Sequence, residues 1–218
     1  TDKDGETTVH LAAKIGHKKI LMKLKEIDNV DLRAKDSKGN TVLHFAAEFG
    51  FVSILDILHS WNLFPNVDEV NKSGETPLHK AAQNGHHFAV MNLLDKKAEL
   101  DRKNKKKETP LMLAITNGHI TVTDILLKKG SSIEVRDSKN ENLMHRIAGI
   151  QESAHAIEIM ELCKISSNET LRLGRDNNKC LPIHHAAMNG SYAVFVKLAT
   201  FNKDSLLGLD KQNRLPIH

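Results

Sequence analysis

The chain has 218 residues, 31 of them Lys or Arg and 27 Asp or Glu, for a formal net charge of +4. That near-balance, with aromatic residues at only 4%, argues against a nucleic-acid binder that neutralises phosphates and stacks rings on bases. No apolar run approaches the roughly 20 residues of a membrane-crossing helix, there is no signal-peptide pattern, and Cys163 and Cys180 match no metal spacing and read as two unpaired thiols of a reducing compartment.

The first stretch, 1–32, opens on the turn Asp2-Lys3-Asp4-Gly5 and runs into Thr7-Thr8-Val9-His10, Ala12-Ala13 and Gly16-His17. A second helical stretch follows, with Ile20, Leu21 and Leu24 expected inward and Lys18, Lys19, Lys23 and Lys25 outward. The segment 33–69 repeats the plan from Thr41-Val42-Leu43-His44 to Gly50, then Val52, Ile54, Leu55, Ile57 and Leu58. It leaves through Trp61-Asn62-Leu63-Phe64-Pro65-Asn66, where Trp61 and Phe64 either cover the edge of a helix pair or present an aromatic anchor.

In 70–102 the pattern is clearest. Thr76 can cap a helix, Pro77 suits its first position, Leu78 points inward, Ala81 and Ala82 allow close approach, and Gly85 ends it. Phe88, Val90, Met91, Leu93 and Leu94 form the second apolar stretch, so each unit is two short helices and a turn. The segment 103–135 begins with a basic run, Lys103-Asn104-Lys105-Lys106-Lys107, which reads as a solvated turn tip, a nuclear-import signal or an acidic-partner contact. The segment 136–175 departs most, with Asn142-Leu143-Met144-His145 as its box. Residues Gln151 to His155 are expected to lengthen its inter-helix connection, and Ser166 to Leu173 its exit. The segment 176–209 recovers the pattern at Leu181-Pro182-Ile183-His184, and 210–218 is a partial seventh unit ending in Leu215-Pro216-Ile217-His218.

Successive boxes start 34, 35, 33, 33, 39 and 34 residues apart, the period of a stacked-repeat solenoid. Pro77, Pro110, Pro182 and Pro216 fill one slot, and Gly16, Gly50, Gly85, Gly118 and Gly190 another. The motif resembles the ankyrin repeat from end to end of the chain. The resemblance implies an all-α fold: an ankyrin-repeat solenoid of stacked helix-turn-helix units with projecting β-turn fingers, one array over 1–218. Both ends fall inside a repeat without a polar outer face, which leads to the expectation that the chain is a piece of a longer protein.

Thirteen histidines invite a metal or catalytic reading, but nine occupy two repeated slots: His10, His44, His79, His145, His184 and His218 in the box, and His17, His86 and His119 after the glycine. The resemblance implies that box histidines hydrogen-bond backbone of neighbouring repeats. The other four, His59, His87, His155 and His185, share no ligand spacing, and the adjacent His184 and His185 point different ways. Phosphate loops, dinucleotide fingerprints and nucleophile–base pairs are missing from the sequence, and the turn acids Asp2, Asp36, Asp137, Asp176 and Asp210 suit turn geometry. An enzyme, a cofactor and a metal are therefore not expected.

The resemblance implies protein binding through turn tips and first helices, which line a concave surface. Mapped residue by residue, the partner-binding positions are Lys38, Phe49, Lys72, Gln83, Lys103, Lys105, Lys106, Lys139 and Met188, with Glu6, Glu75, Glu108 and Glu141 flanking the tips. The expected function is a cytoplasmic protein-interaction scaffold that takes an acidic segment of a partner. The alternatives are the cytosolic arm of a transient-receptor-potential-type channel, or the repeat region of a secreted toxin or effector whose activity lies elsewhere.

Overall fold

A computed structural model describes residues 1–64 and 66–217; Pro65 in the exit of repeat two and the box residue His218 lie outside the described residues. The chain divides into two compact units, Thr1–Lys105 and Lys106–His218. Among the described residues the regular structure is helical, without a strand.

The first unit contains α1 (Thr8–Lys14), α2 (Lys18–Glu26), α3 (Val42–Glu48), α4 (Val52–Ser60), α5 (Pro77–Gln83) and α6 (His87–Asp95). The second contains α7 (Pro110–Thr116), α8 (Ile120–Lys128), α9 (Leu143–Ile147), α10 (Ser153–Leu162), α11 (Glu169–Leu173), α12 (Pro182–Met188) and α13 (Tyr192–Phe201). In the first unit α1 packs on α3 and α3 on α5, while each first helix lies against its own second helix. The second unit follows the same plan, with α7 on α9, α9 on α12, α8 on α10 and α10 on α13.

Box chemistry explains where the first helices start. Thr7, Thr41, Thr76 and Thr109 have extended backbone at the N-cap, and Thr76 and Thr109 accept the N–H three residues on, from His79 at 3.4 Å and Met112 at 3.3 Å. The box histidine closes the loop in return. Its Nδ1 accepts the N-cap N–H of Thr7 (3.0 Å), Thr41 (3.2 Å), Thr76 (3.1 Å) and Leu181 (3.1 Å), so an imidazole fills the role a glutamate plays in the usual capping box. Proline opens α5, α7 and α12 as its missing N–H allows, whereas Pro216 sits in a turn.

The glycines after α1 and α3 are required twice over. Gly16 and Gly50 both have φ of +77°, and a Cβ there would lie 2.5 Å from the Phe51 ring and 2.7 Å from the His86 ring of the next repeat. Close helix stacking rests on the alanine pairs: Ala13, Ala46, Ala47, Ala81 and Ala82 are fully buried. Leu21, Ile54, Leu55, Leu58, Leu78 and Leu93 complete the first unit's core, and Leu111, Met112, Ile115, Leu126, Leu143 and Met144 stand out in the second.

Two expectations need correction, for Ile20 and for the connection in repeat five, and α6 adds a detail. Ile20 is 41% exposed, although Ile54 at the same helix position of the next repeat is fully buried. In α6 Val90 and Leu93 of the apolar stretch are buried and Phe88 and Met91 are exposed, one stripe of the helix facing the core. In repeat five the inter-helix connection gains no residues: α9 and α10 start ten residues apart, as α1 and α2 do, and the gap is wider only because α9 ends after five residues; the added length lies in the exit, as a 3-10 turn, Ile165–Ser167, followed by α11.

Candidate functional site

Every predicted turn tip is a two-residue turn, at 3–4, 37–38, 72–73, 105–106, 138–139, 177–178 and 211–212. At six of these turns a side-chain oxygen at the turn start accepts two backbone N–H groups. Asp36 Oδ1 takes those of Lys38 (2.9 Å) and Asn40 (2.6 Å), Asn71 those of Ser73 and Glu75, and Asp137 those of Lys139 and Glu141. Asp176 and Asp210 do the same for their own turns. These carboxylates are buried against the backbone, so the turn-geometry reading of the acids holds.

Neighbouring fingers are then joined tip to tip by one backbone hydrogen bond each. In the first unit Ser37 N–H donates to Asp4 O (2.8 Å), Lys72 N–H to Lys38 O (2.9 Å) and Lys105 N–H to Ser73 O (2.9 Å). In the second, Ser138 N–H donates to Lys106 O (2.8 Å), Asn177 N–H to Lys139 O (2.9 Å) and Lys211 N–H to Asn178 O (2.8 Å). The ladder places Lys38, Lys72 and Lys105 on consecutive fingers of one unit, and Lys106 and Lys139 on consecutive fingers of the other. All five side chains are exposed, as is Lys103.

The flanking glutamates turn away from this row. Lys14 Nζ lies 3.0 Å from Glu6, and Lys80 Nζ 2.9 Å from Glu75. Burial pushes the Glu75 carboxyl up, but hydrogen bonds from Asn71 and Lys80 outweigh it and hold it below the usual glutamate value. Arg146 gathers three carboxylates, with Glu108 at 3.1 Å, Glu141 at 3.2 Å and Asp137 also paired. Lys38, Lys72, Lys105 and Lys139 take part in none of the ion pairs of the described residues.

The remaining predicted positions sit elsewhere on their repeats. Phe49 is the C-cap of α3 and Gln83 and Met188 end α5 and α12, one helix of about 10 Å away from the fingers that open those repeats. Phe49 is 39% exposed, Met188 61%, and Gln83 is half-buried. Phe64 is buried and Trp61 half-buried beneath Lys25, whose Nζ lies 4.5 Å from the ring, so this pair covers an edge.

The box histidines bridge repeats as the resemblance implied. Their Nε2 atoms face the carbonyls of Ala34 (His10, 2.9 Å), Glu75 (His44, 3.0 Å), Cys180 (His145, 3.1 Å) and Arg214 (His184, 3.4 Å). Burial pushes His44 and His145 down to about 4, and also lowers His184. Cys163 and Cys180 are free and buried, which pushes the first up to about 12 and the second up to about 11. His184 and His185 do point apart: His185 turns to Asp176, its Nε2 3.1 Å from Oδ2, and its ring meets that of His145 edge-on at 4.9 Å. Ligand atoms of His145, Asp176 and His185 lie within 4.8 Å of one another. Sequence spacing hid this cluster because its members belong to two repeats.

Arg146 was missed as well, yet a signal for it exists. Lys80, Arg146 and His185 each directly follow a box histidine, and each reaches a carboxylate of its own finger. Helix pairs stacked through alanines, with laddered fingers in each unit and no helix among the described residues long and apolar enough to cross a membrane, define a repeat scaffold.

More narrowly, the chain belongs to the ankyrin-repeat family, whose three-copy profile, described as ankyrin repeats (3 copies), matches residues 1–68 and 60–137. Members are generally protein-interaction modules and typically non-catalytic. The chain is 35% identical over 92 residues to alpha-latrotoxin-Lg1a of Latrodectus geometricus, covering 42% of this chain and 7% of that protein. It is 35% identical over 98 residues to transient receptor potential cation channel subfamily A member 1 of Homo sapiens, covering 44% of this chain and 9% of the channel. Human BCL-6 corepressor-like protein 1 is 32% identical over 95 residues, 44% of this chain and 5% of that protein. The chain thus spans less than a tenth of each of these relatives.

Proposed function

We propose that the chain is a non-catalytic binding scaffold whose finger row takes an acidic segment of a partner protein. The observation that carries this reading is the separation of charge at the fingers: the flanking glutamates are paired inward with Lys14, Lys80 and Arg146, while the tip lysines stay exposed. Backbone ladders hold consecutive tips in register, so the finger backbone needs no ordering when a partner binds and the remaining cost is that of the lysine side chains. Phe49, Gln83 and Met188 add side contacts from the first helices, and Lys103 extends the basic edge. Exposed cations of this kind act chiefly on association rate. The test is binding of Glu/Asp-rich peptides to the wild type and to a Lys38→Glu, Lys72→Glu, Lys105→Glu variant at several salt concentrations. At roughly 0.5 kcal/mol per exposed pair, the triple variant should bind about tenfold more weakly and with a flatter salt slope. Unchanged affinity and slope refute the reading.

The similarity to a channel subunit and to a latrotoxin supports a second reading, in which the array is an arm of a much larger chain and the activity lies outside these residues. A multi-span region elsewhere in the parent chain favours the channel form of it; a parent without one removes that form.

A further inference from the structure

Asn142 stands where repeats one to four carry threonine, and it changes the environment of its box histidine. A threonine hydroxyl can donate to the ring: Thr41 Oγ1 lies 3.0 Å and Thr76 Oγ1 2.8 Å from Nδ1. Asn142 offers no such donor on that side. Its Nδ2 donates to Leu171 O at 2.9 Å, in the added helix α11, which fixes the amide and leaves Oδ1 only 2.7 Å from His145 Nδ1. A carbonyl oxygen accepts only, so this short contact is favourable when Nδ1 carries a proton. The neutral ring then has a lone pair on Nε2, and Nε2 faces a second acceptor, Cys180 O, at 3.1 Å. The other tautomer sets the Nδ1 lone pair against Oδ1, with the Asn142 N–H, 3.2 Å from Nδ1, as partial compensation.

The Nδ1–H tautomer turns the Nε2 lone pair toward Cys180 O, and the Nε2–H tautomer keeps the Asn142 N–H bond but sets its Nδ1 lone pair against Oδ1; a cation at Nε2 takes up the Nε2 lone pair and lets Nδ1–H donate to Oδ1, at the cost of the Asn142 N–H bond. A second proton is one such cation, but the ring is 2% exposed and burial penalises a charged imidazolium. The alternative is a metal. Nδ1 being occupied by Asn142, Nε2 is the atom His145 can offer, and it shares its surroundings with Asp176 and His185.

We infer that His145 Nε2, Asp176 Oδ2 and His185 Nε2 form a binding site for one divalent transition-metal ion of the zinc class. Two imidazoles and a carboxylate are a suitable donor set, and a fourth position remains for water on the partly exposed side of His185. The outer contacts match what such ligands need. With the metal on Nε2, His145 Nδ1–H has Asn142 Oδ1 at 2.7 Å as its acceptor, and Asp176 Oδ1 is held by the N–H groups of Asn178 and Cys180 at 2.8 Å each. Tetrahedral ligands at about 2.1 Å from a metal lie ~3.4 Å apart, so the cluster must tighten, and the half-buried His185 ring is the part free to turn.

The test is titration of the chain with Co²⁺, read as visible d–d absorption, followed by displacement with Zn²⁺. One equivalent should bind. His185→Ala should weaken binding at least tenfold, and Asn142→Ala, which removes the acceptor for Nδ1–H, roughly 10–100-fold, with helix content unchanged by circular dichroism. Nitrogen-15 spectra of the wild-type ring provide a readout independent of any variant: Zn²⁺ should shift His145 Nε2 and leave Nδ1 protonated. No saturable binding, equal binding by the His185→Ala variant, or an unshifted His145 Nε2 overturns the proposal.

Discussion

Acidification should unlock the first unit through His44. The ring is fully buried, its Nδ1 accepts from Thr41 N–H and its Nε2 donates to Glu75 O at 3.0 Å, so the folded state needs the neutral form. Burial, which outweighs the opposing hydrogen bond to Glu75 O, pushes the ring from 6.5 to about 4. Between these values the unfolded chain binds a proton that the folded chain does not. Stability is therefore intact above about pH 6.5 and is lost as the pH falls toward 4. Integrated from pH 7 to pH 5, the loss from this one ring is about 2 kcal/mol. Glu75, held low, adds its own loss mainly below this window. The chain contains a natural control, because Met112 occupies the box slot of repeat four and is fully buried there. The sole tryptophan, Trp61, lies in the first unit and reports its unfolding by fluorescence. In urea titrations at pH 7 and pH 5, wild type should lose about 2 kcal/mol more than His44→Met. Equal losses in the two proteins would mean that His44 does not stay neutral in the fold, and the reasoning would fail.

Arg146→Ala should destabilise the second unit by roughly 3 kcal/mol, because Glu108, Asp137 and Glu141 are left facing one another, and Arg146→Lys should recover part of the loss; chemical denaturation checks both. Gly50→Ala should cost clearly more than Gly190→Ala. Both glycines have positive φ, but a Cβ at 50 meets the His86 ring at 2.7 Å while one at 190 meets nothing within 4 Å, so the second should cost only about 1 kcal/mol of backbone strain. Iodoacetamide at pH 8 should leave Cys163 and Cys180 unlabelled in the folded chain and label both in urea, since each is buried with its thiol pushed up.

Much of this fold was legible because each repeat states the same instructions. Threonine, proline and the box histidine mark a helix start by local hydrogen bonds, and glycine marks its end by backbone freedom, so neither depends on distant residues. What depends on neighbours was harder to read. Ile20 has the periodicity of a core residue and is exposed, since burial needs a partner that periodicity cannot supply. The added exit of repeat five appeared as extra length, but its outcome as α11, which fixes the Asn142 amide through Leu171 O, did not. The glutamates beside the fingers looked like a counterweight to the lysines. Only the fold shows Lys80 and Arg146 drawing Glu75, Glu108 and Glu141 inward, although their place after the box histidine was visible in the register.

The most direct measurement is a titration of isotope-labelled chain with a Glu/Asp-rich peptide, followed by amide chemical shifts. The account predicts that the perturbed amides cluster at the fingers, at Lys38, Lys72, Lys105, Lys106 and Lys139, and fade at high salt. Perturbation centred on the second helices α2, α4, α6 and α8, or none at low salt, would contradict it.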